Sequence, residues 1–189
     1  MLAEIRARAL DFSTYVAKAD MNGPTMRENF EDTRISEKDR EYFDRLAERL
    51  PKGAVSVLAL SESWCGDCVE NVPVFAKVAH EYPFLDLLIL PRDTNLDIMD
   101  RYLTDGKRTI PVFVFFDESG EEFGRFVERP PGAHKFLEEA RSRLEGLPEG
   151  ERKKGMYQAR AELRKLYKAG LRDETIGAIR QILENRYGS

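Results

Sequence analysis

Apolar and polar residues follow two different periods along this chain. Ala54 to Leu60 is apolar at every position but Ser56 and reads as a buried strand. Phe84 to Leu90 reads as a second buried strand, and Val112 to Phe116 as a third. A short strand near Gly124–Val127 should pair with the third as a hairpin across the turn signal Glu118-Ser119-Gly120. Helical spacing separates these runs. It covers Val69 to Tyr82, then about Asn95 to Leu103, closed by Asp105-Gly106, and later His134 to Leu144. Strands alternating with helices predict an α/β fold with a mixed sheet and helices on both faces.

Helical periodicity alone marks the two ends. Leu2, Ile5, Ala9, Phe12 and Val16 share one face of a pattern over residues 2–19, and Asn22-Gly23-Pro24 punctuates the chain after it. Ser36 can cap a second helix, with Asp39 in its first turn and Tyr42, Phe43, Leu46 and Leu50 on its apolar side. Pro51-Lys52-Gly53 closes that helix. Beyond the linker Leu147-Pro148-Glu149-Gly150, Met156, Ala159, Leu163, Leu166 and Tyr167 form an amphipathic stripe ending at Gly170. Ile176, Ile179, Ile182 and Leu183 form another. The chain therefore divides into an N-terminal helical extension (1–50), a central α/β domain (51–145) and a C-terminal helical extension (146–189).

Composition narrows the function classes. Of 189 residues, 42% are hydrophobic, which supplies a core for one domain with additions. Thirty basic against thirty-four acidic residues give a net charge of −4, which argues against a nucleic-acid binder. Residues 145–189 are mildly basic, and their longest consecutive basic run, Arg152-Lys153-Lys154, reads as a solvated helix start. No apolar run has the length needed to span a bilayer. The opening Met1-Leu2-Ala3-Glu4-Ile5-Arg6 has no signal-peptide core, so a cytoplasmic location is expected. In that compartment a closely spaced cysteine pair is more often catalytic or metal-binding than a structural disulfide.

Both cysteines lie in Trp64-Cys65-Gly66-Asp67-Cys68, where the first strand gives way to a helix. Cys65 at a helix start would meet unpaired N–H groups and the positive end of the helix dipole, which favour a thiolate. Cys68 would follow one turn later on the same side. That arrangement suits thiol–disulfide exchange, in which one thiolate attacks a disulfide and a second thiol resolves the mixed disulfide. A zinc-binding or inert pair is the plainer reading. Structural zinc takes four ligands, and His80 and His134 lack ligand spacing, so no metal is expected.

On these residues the chain resembles the thioredoxin superfamily. Trp64 before the first cysteine and Gly66 after it fit that family, as does Pro73, eight residues after Cys65. Thr109-Ile110-Pro111 before the third strand is similar to the family's cis-proline loop. The resemblance covers residues 50–145 and implies a thioredoxin-like mixed sheet with Cys65 and Cys68 catalytic. It further implies that Trp64 is an exposed rim residue, and that Ile110 and Pro111 face substrate, their backbone pairing with an extended segment by strand addition. Proline bonds are mostly trans, so the cis assignment rests on the resemblance.

Four departures stand against the family pattern. Asp67 replaces a common proline, and its carboxylate should raise the Cys65 pKa against the helix N-terminus. Ala59 falls where thioredoxins bury an acid, and Ile89 near where they have its lysine neighbour. Val127-Glu128-Arg129-Pro130 replaces a glycine loop, with charges able to narrow or redirect the groove. Glu62 is the nearest upstream acid, and Glu62 and Asp67 are possible modulators, though such residues are more often solvated.

The resulting expectation is a disulfide reductase acting on a protein or small-molecule disulfide. An external reductase or low-molecular-weight thiol must restore it, since the chain carries no dinucleotide fingerprint and no cofactor is expected. The competing class is a binding or adaptor protein on the same fold, with the cysteines as a redox switch. A peroxidase-like or glutathione-linked enzyme lacks supporting features.

Overall fold

The computed structural model describes residues 1–188. Its centre is a four-stranded sheet, order β2-β1-β3-β4, built from β1 (Val55–Ser61), β2 (Leu85–Pro91), β3 (Val112–Phe116) and β4 (Glu122–Val127). β1 runs parallel to β2, with Ala59 beside Ile89, and antiparallel to β3, with Ala59 opposite Phe113. β3 and β4 form the predicted hairpin, which starts at Glu122 and carries a register shift at Phe115/Phe116. Every residue of β1 and β3 is buried, as their continuous apolar runs require, because helices cover both faces of the sheet.

The main helix, α5 (Gly66–Glu81), follows β1, as βα connectivity places it. Pro73 lies inside it, and ten of its sixteen residues are buried. Phe75 stacks on Phe113 at 3.6 Å between ring centroids. The helix predicted over 95–103 shrinks to α6 (Leu96–Met99). Asp105 and Gly106, both at positive φ, form a tight turn closed by pairing of Thr104 with Lys107.

The N-terminal pattern is broken differently from expectation. Residues 2–19 form two helices, α1 (Leu2–Arg8) and α2 (Phe12–Ala17), because the Leu10 backbone pairs with Ile89 and shields the outer edge of β2. Asp11 caps α2, accepting from the Thr14 N–H at 2.8 Å. Asn22-Gly23-Pro24 opens a helix the apolar pattern did not announce, α3 (Gly23–Asp32), with proline in its first turn. A side chain at Gly23 would lie 2.9 Å from the Val16 carbonyl oxygen, so glycine lets α3 approach α2. α4 (Glu37–Ala47) has the predicted Ser36 cap.

After α7 (Pro131–Arg143), the expected linker is shorter than predicted, since α8 (Glu149–Leu166) already begins at Glu149. Gly170 breaks the helical path, as expected. Its φ of 154 is non-helical and marks a kink within Tyr167–Leu171 from which the chain continues into α9 (Arg172–Tyr187). Ile5, Val16, Met26 and Phe43 from the N-terminal side join Ile176, Ile179 and Leu183 of α9 in one core with the sheet. Leu137, Leu163, Tyr167 and Leu171 form a smaller core between α7 and α8.

Candidate active site

Cys65 is the N-cap of α5, half-buried and with extended backbone, and both cysteines are free thiols. The Cys68 side chain and the backbone N–H groups of Cys68 and Asp67 lie close enough to its sulfur to favour the thiolate. Together these hold the Cys65 pKa below that of an ordinary cysteine, against desolvation and the Asp67 carboxylate. Cys68 is fully buried, and burial pushes its thiol well above the usual value, with the Cys65 sulfur adding to the rise. The two thiols are thus shifted in opposite directions, Cys65 down and Cys68 up.

The Cys65 thiol donates toward the Ile110 carbonyl at 3.6 Å, and the Ile110–Pro111 peptide is cis. The loop identified by resemblance therefore lies against the first cysteine. Trp64 is 49% exposed on the rim, and the Arg92 guanidinium lies 5.0 Å over its ring.

The two acids sit differently from each other. The Glu62 carboxylate turns toward the Arg92–Thr94 turn and accepts from the Asp93 N–H at 2.7 Å. Burial raises its pKa. What Glu62 presents to Cys68 is its backbone N–H, 3.5 Å from the sulfur. Asp67 is held bidentately by Arg129, at 3.0 Å to Nε and 2.5 Å to Nη2, with both side chains largely buried. Two departures from the family pattern are thus partners. The Arg129 loop also rests on the proline loop, since the Glu128 N–H donates to the Pro111 carbonyl at 2.8 Å.

The apolar substitutions close on each other as well. Ala59 and Ile89, in register on β1 and β2, are both fully buried. Near Cys68 the polar groups are instead hydroxyls. Ser61 lies close enough to Cys68 to favour its thiolate, and the Tyr15 and Ser61 hydroxyls lie 2.9 Å apart in a buried pair. Tyr15 comes from α2, so the N-terminal helices reach the back of the site. Neither residue was singled out from the sequence. The signal available was a lone serine at the end of an apolar strand, three residues before the Trp-Cys motif.

Asn71 locks the front. Its amide nitrogen faces the carbonyls of Asp67 and Glu128 and the Tyr167 hydroxyl at 2.9–3.2 Å, while its oxygen accepts from the Thr175 hydroxyl at 2.9 Å. Away from the site, His80 packs edge-on to Phe30 and His134 opens α7. Among the described residues no group of three or more metal-ligating side chains converges, and no helix is long and apolar enough to cross a membrane.

A family profile described as thioredoxin matches residues 9–141. Thioredoxin H4-2 from Oryza sativa subsp. japonica is 30% identical over 112 residues, covering 59% of this chain and 77% of that protein. Thioredoxin H4-1 from the same plant is 31% identical over 98 residues, covering 51% and 69%. Among solved structures, a Pseudomonas aeruginosa protein of unknown function superposes with a TM-score of 0.69 at 23% identity, covering 97% of both chains. An HIV epitope-scaffold does so with 0.69 at 21%, again over 97% of both. These two likenesses speak for the fold, including its helical extensions. The chain belongs to the thioredoxin family. Its fold is the thioredoxin-like α/β fold, and at the level of the family its kind of activity is thiol–disulfide oxidoreduction.

Proposed function

We propose that this member of the thioredoxin family is a disulfide reductase in which Cys65 is the nucleophile and Cys68 the resolving thiol. The observation that carries this reading is the placement of the two sulfurs, with Cys65 half-buried at the N-cap of α5 against the cis Ile110–Pro111 loop and Cys68 fully buried one turn further along the helix. The Cys65 thiolate attacks one sulfur of a substrate disulfide, forming a mixed disulfide and expelling the other sulfur as a thiolate, which takes up a proton. Cys68 then gives up its proton and attacks the Cys65 sulfur. The second substrate thiol leaves, and the enzyme holds a Cys65–Cys68 disulfide, two electrons more oxidised. The Ser61 hydroxyl and the Glu62 N–H stabilise the Cys68 thiolate as it forms. This pair takes the place of a buried acid at Ala59.

In this reading Trp64, Ile110 and Pro111 border the substrate, with Glu62 and Asp67 as modulators. Residues 51–145 carry the chemistry, flanked by extensions 1–50 and 146–189. The substrate is a disulfide in a protein or small molecule, and a separate reductase or low-molecular-weight thiol restores the dithiol. A reducing, cytoplasmic setting suits that direction of electron flow. The competing adaptor reading has Ala59 and the occupied Arg129 loop in its favour.

An insulin-disulfide reduction assay with thioredoxin reductase and NADPH separates the two. The reductase reading predicts turnover that falls at least about 1,000-fold in Cys65→Ser, as loss of an essential nucleophile does. Absence of turnover, with partner capture that survives loss of both thiols, supports the adaptor.

A further inference from the structure

A cavity of about 490 Å³ opens beside Cys65, walled on one side by Trp64 and the start of α5 and on the other by α7 and α8. Its volume lies in the range of ligand sites. Its charge is one-sided. The acids on its wall are already engaged, Asp67 by Arg129 and Glu70, at 3.6 Å, by Arg172. Arg141, Arg160 and Arg164 also line it, and among the described residues none of the three has a carboxylate within salt-bridge distance. Other cations of α8 do have partners, Lys153 with Glu149 and Lys165 with Glu162. Arg160 and Arg164 sit four apart, one turn along the same face of α8. The two exposed aromatic side chains among the described residues, Trp64 and Tyr157, stand on this same cavity. Met156, Leu137 and Leu163 supply an apolar floor.

Guanidinium groups without an ion-pair partner, of which Arg164 alone also feels the charge of Glu70, form beside exposed aromatic rings a surface for carboxylates on a chain that also carries apolar groups. We infer that the C-terminal extension builds a substrate-selecting wall, and that the cavity takes an acidic peptide segment adjoining the disulfide that Cys65 attacks. This inference rests on the reductase reading for what happens at the sulfur. The binding itself needs no thiol.

Trp64 is the chain's single tryptophan, so its fluorescence reports directly on the cavity. The probes are seven-residue peptides with a central serine flanked by three glutamates, glutamines or lysines on each side. Having no cysteine, they test binding apart from turnover. The full-length protein is expected to bind the glutamate peptide about tenfold or more tighter than the glutamine one, with the difference shrinking as salt rises. The double variant Arg160→Glu/Arg164→Glu is expected to abolish that preference, and Arg160→Lys/Arg164→Lys to retain most of it. Both positions are exposed, and a thermal melt checks that each variant folds. Equal affinity for glutamate and glutamine peptides overturns the inference, as does a preference that survives charge reversal. Oxidised glutathione displacing the glutamate peptide and binding more tightly than it would assign the cavity to a small anion and overturn the peptide assignment. If the acidic peptide binds as expected while no disulfide substrate turns over, the binding inference stands and the reductase reading fails.

Discussion

Single residues set the reactivity of this site by small, opposed effects around one sulfur. The Cys68 side chain and the helix N–H groups lower the Cys65 pKa, while burial and Asp67 raise it. Arg129 bears on that balance because it neutralises Asp67 at close range. The sign follows for substitution. Asp67→Asn removes a negative charge near the sulfur, so the Cys65 thiolate should persist to lower pH. Arg129→Ala leaves Asp67 uncompensated, so the thiolate should be lost at higher pH than in the parent. The rate of iodoacetamide alkylation against pH, read on a Cys68→Ser background, checks both, and midpoints moving in the same direction would contradict the ion-pair account. From the sequence Asp67 and Arg129 were both visible as departures, sixty-two positions apart. Their pairing was not, because nothing in either local pattern says that the loop after β4 folds back over the start of α5.

At the scale of elements, the strands and the cysteine-bearing helix α5 were legible and the terminal helices only partly so. β1, β2 and β3 are long apolar runs whose burial overrides other cues, and they lie within a residue or two of the predicted bounds. Helix ends depend on backbone pairing elsewhere. Leu10 leaves the helix to bond with Ile89, a partner seventy-nine residues away. Asp11, Asn22 and Pro24 were the local signals for the breaks and starts that the apolar stripe alone missed. The packing of α9 on the sheet follows the same logic. A side chain at Gly124 in β4 would lie 2.5 Å from Ile182 Cγ2, so Gly124→Val should cost about 1–3 kcal/mol by overpacking. Gly177, inside α9 with nothing near its missing Cβ, gives the opposite expectation, and Gly177→Ala should gain about 0.5–1 kcal/mol. Urea unfolding of both variants tests this contact, and a Gly124→Val protein as stable as the parent would contradict it.

For the whole molecule, the two ends of the chain meet on α5, the helix that carries both cysteines. Arg172 of α9 donates to Asn29 of α3 at 2.6 Å, and Asn29 in turn donates to the Val69 carbonyl of α5. Arg180 of α9 pairs with Asp39 beside the Ser36 cap of α4. A sequence shows two amphipathic extensions but not that they share one core and one polar network, since those contacts join residues more than a hundred positions apart. Tyr15 behind Cys68 and α8 in front of Cys65 are the functional consequences of that closure. The central claim remains the division of labour between the two sulfurs in the intact chain. Its most direct test is the intact mass of the full-length Cys68→Ser protein after exposure to a peptide disulfide, with Cys65→Ser alongside. The account predicts one stable adduct per chain on Cys65, released by dithiothreitol, and little or none on Cys68 in the companion variant. An adduct on Cys68 alone, or none on Cys65, would contradict it.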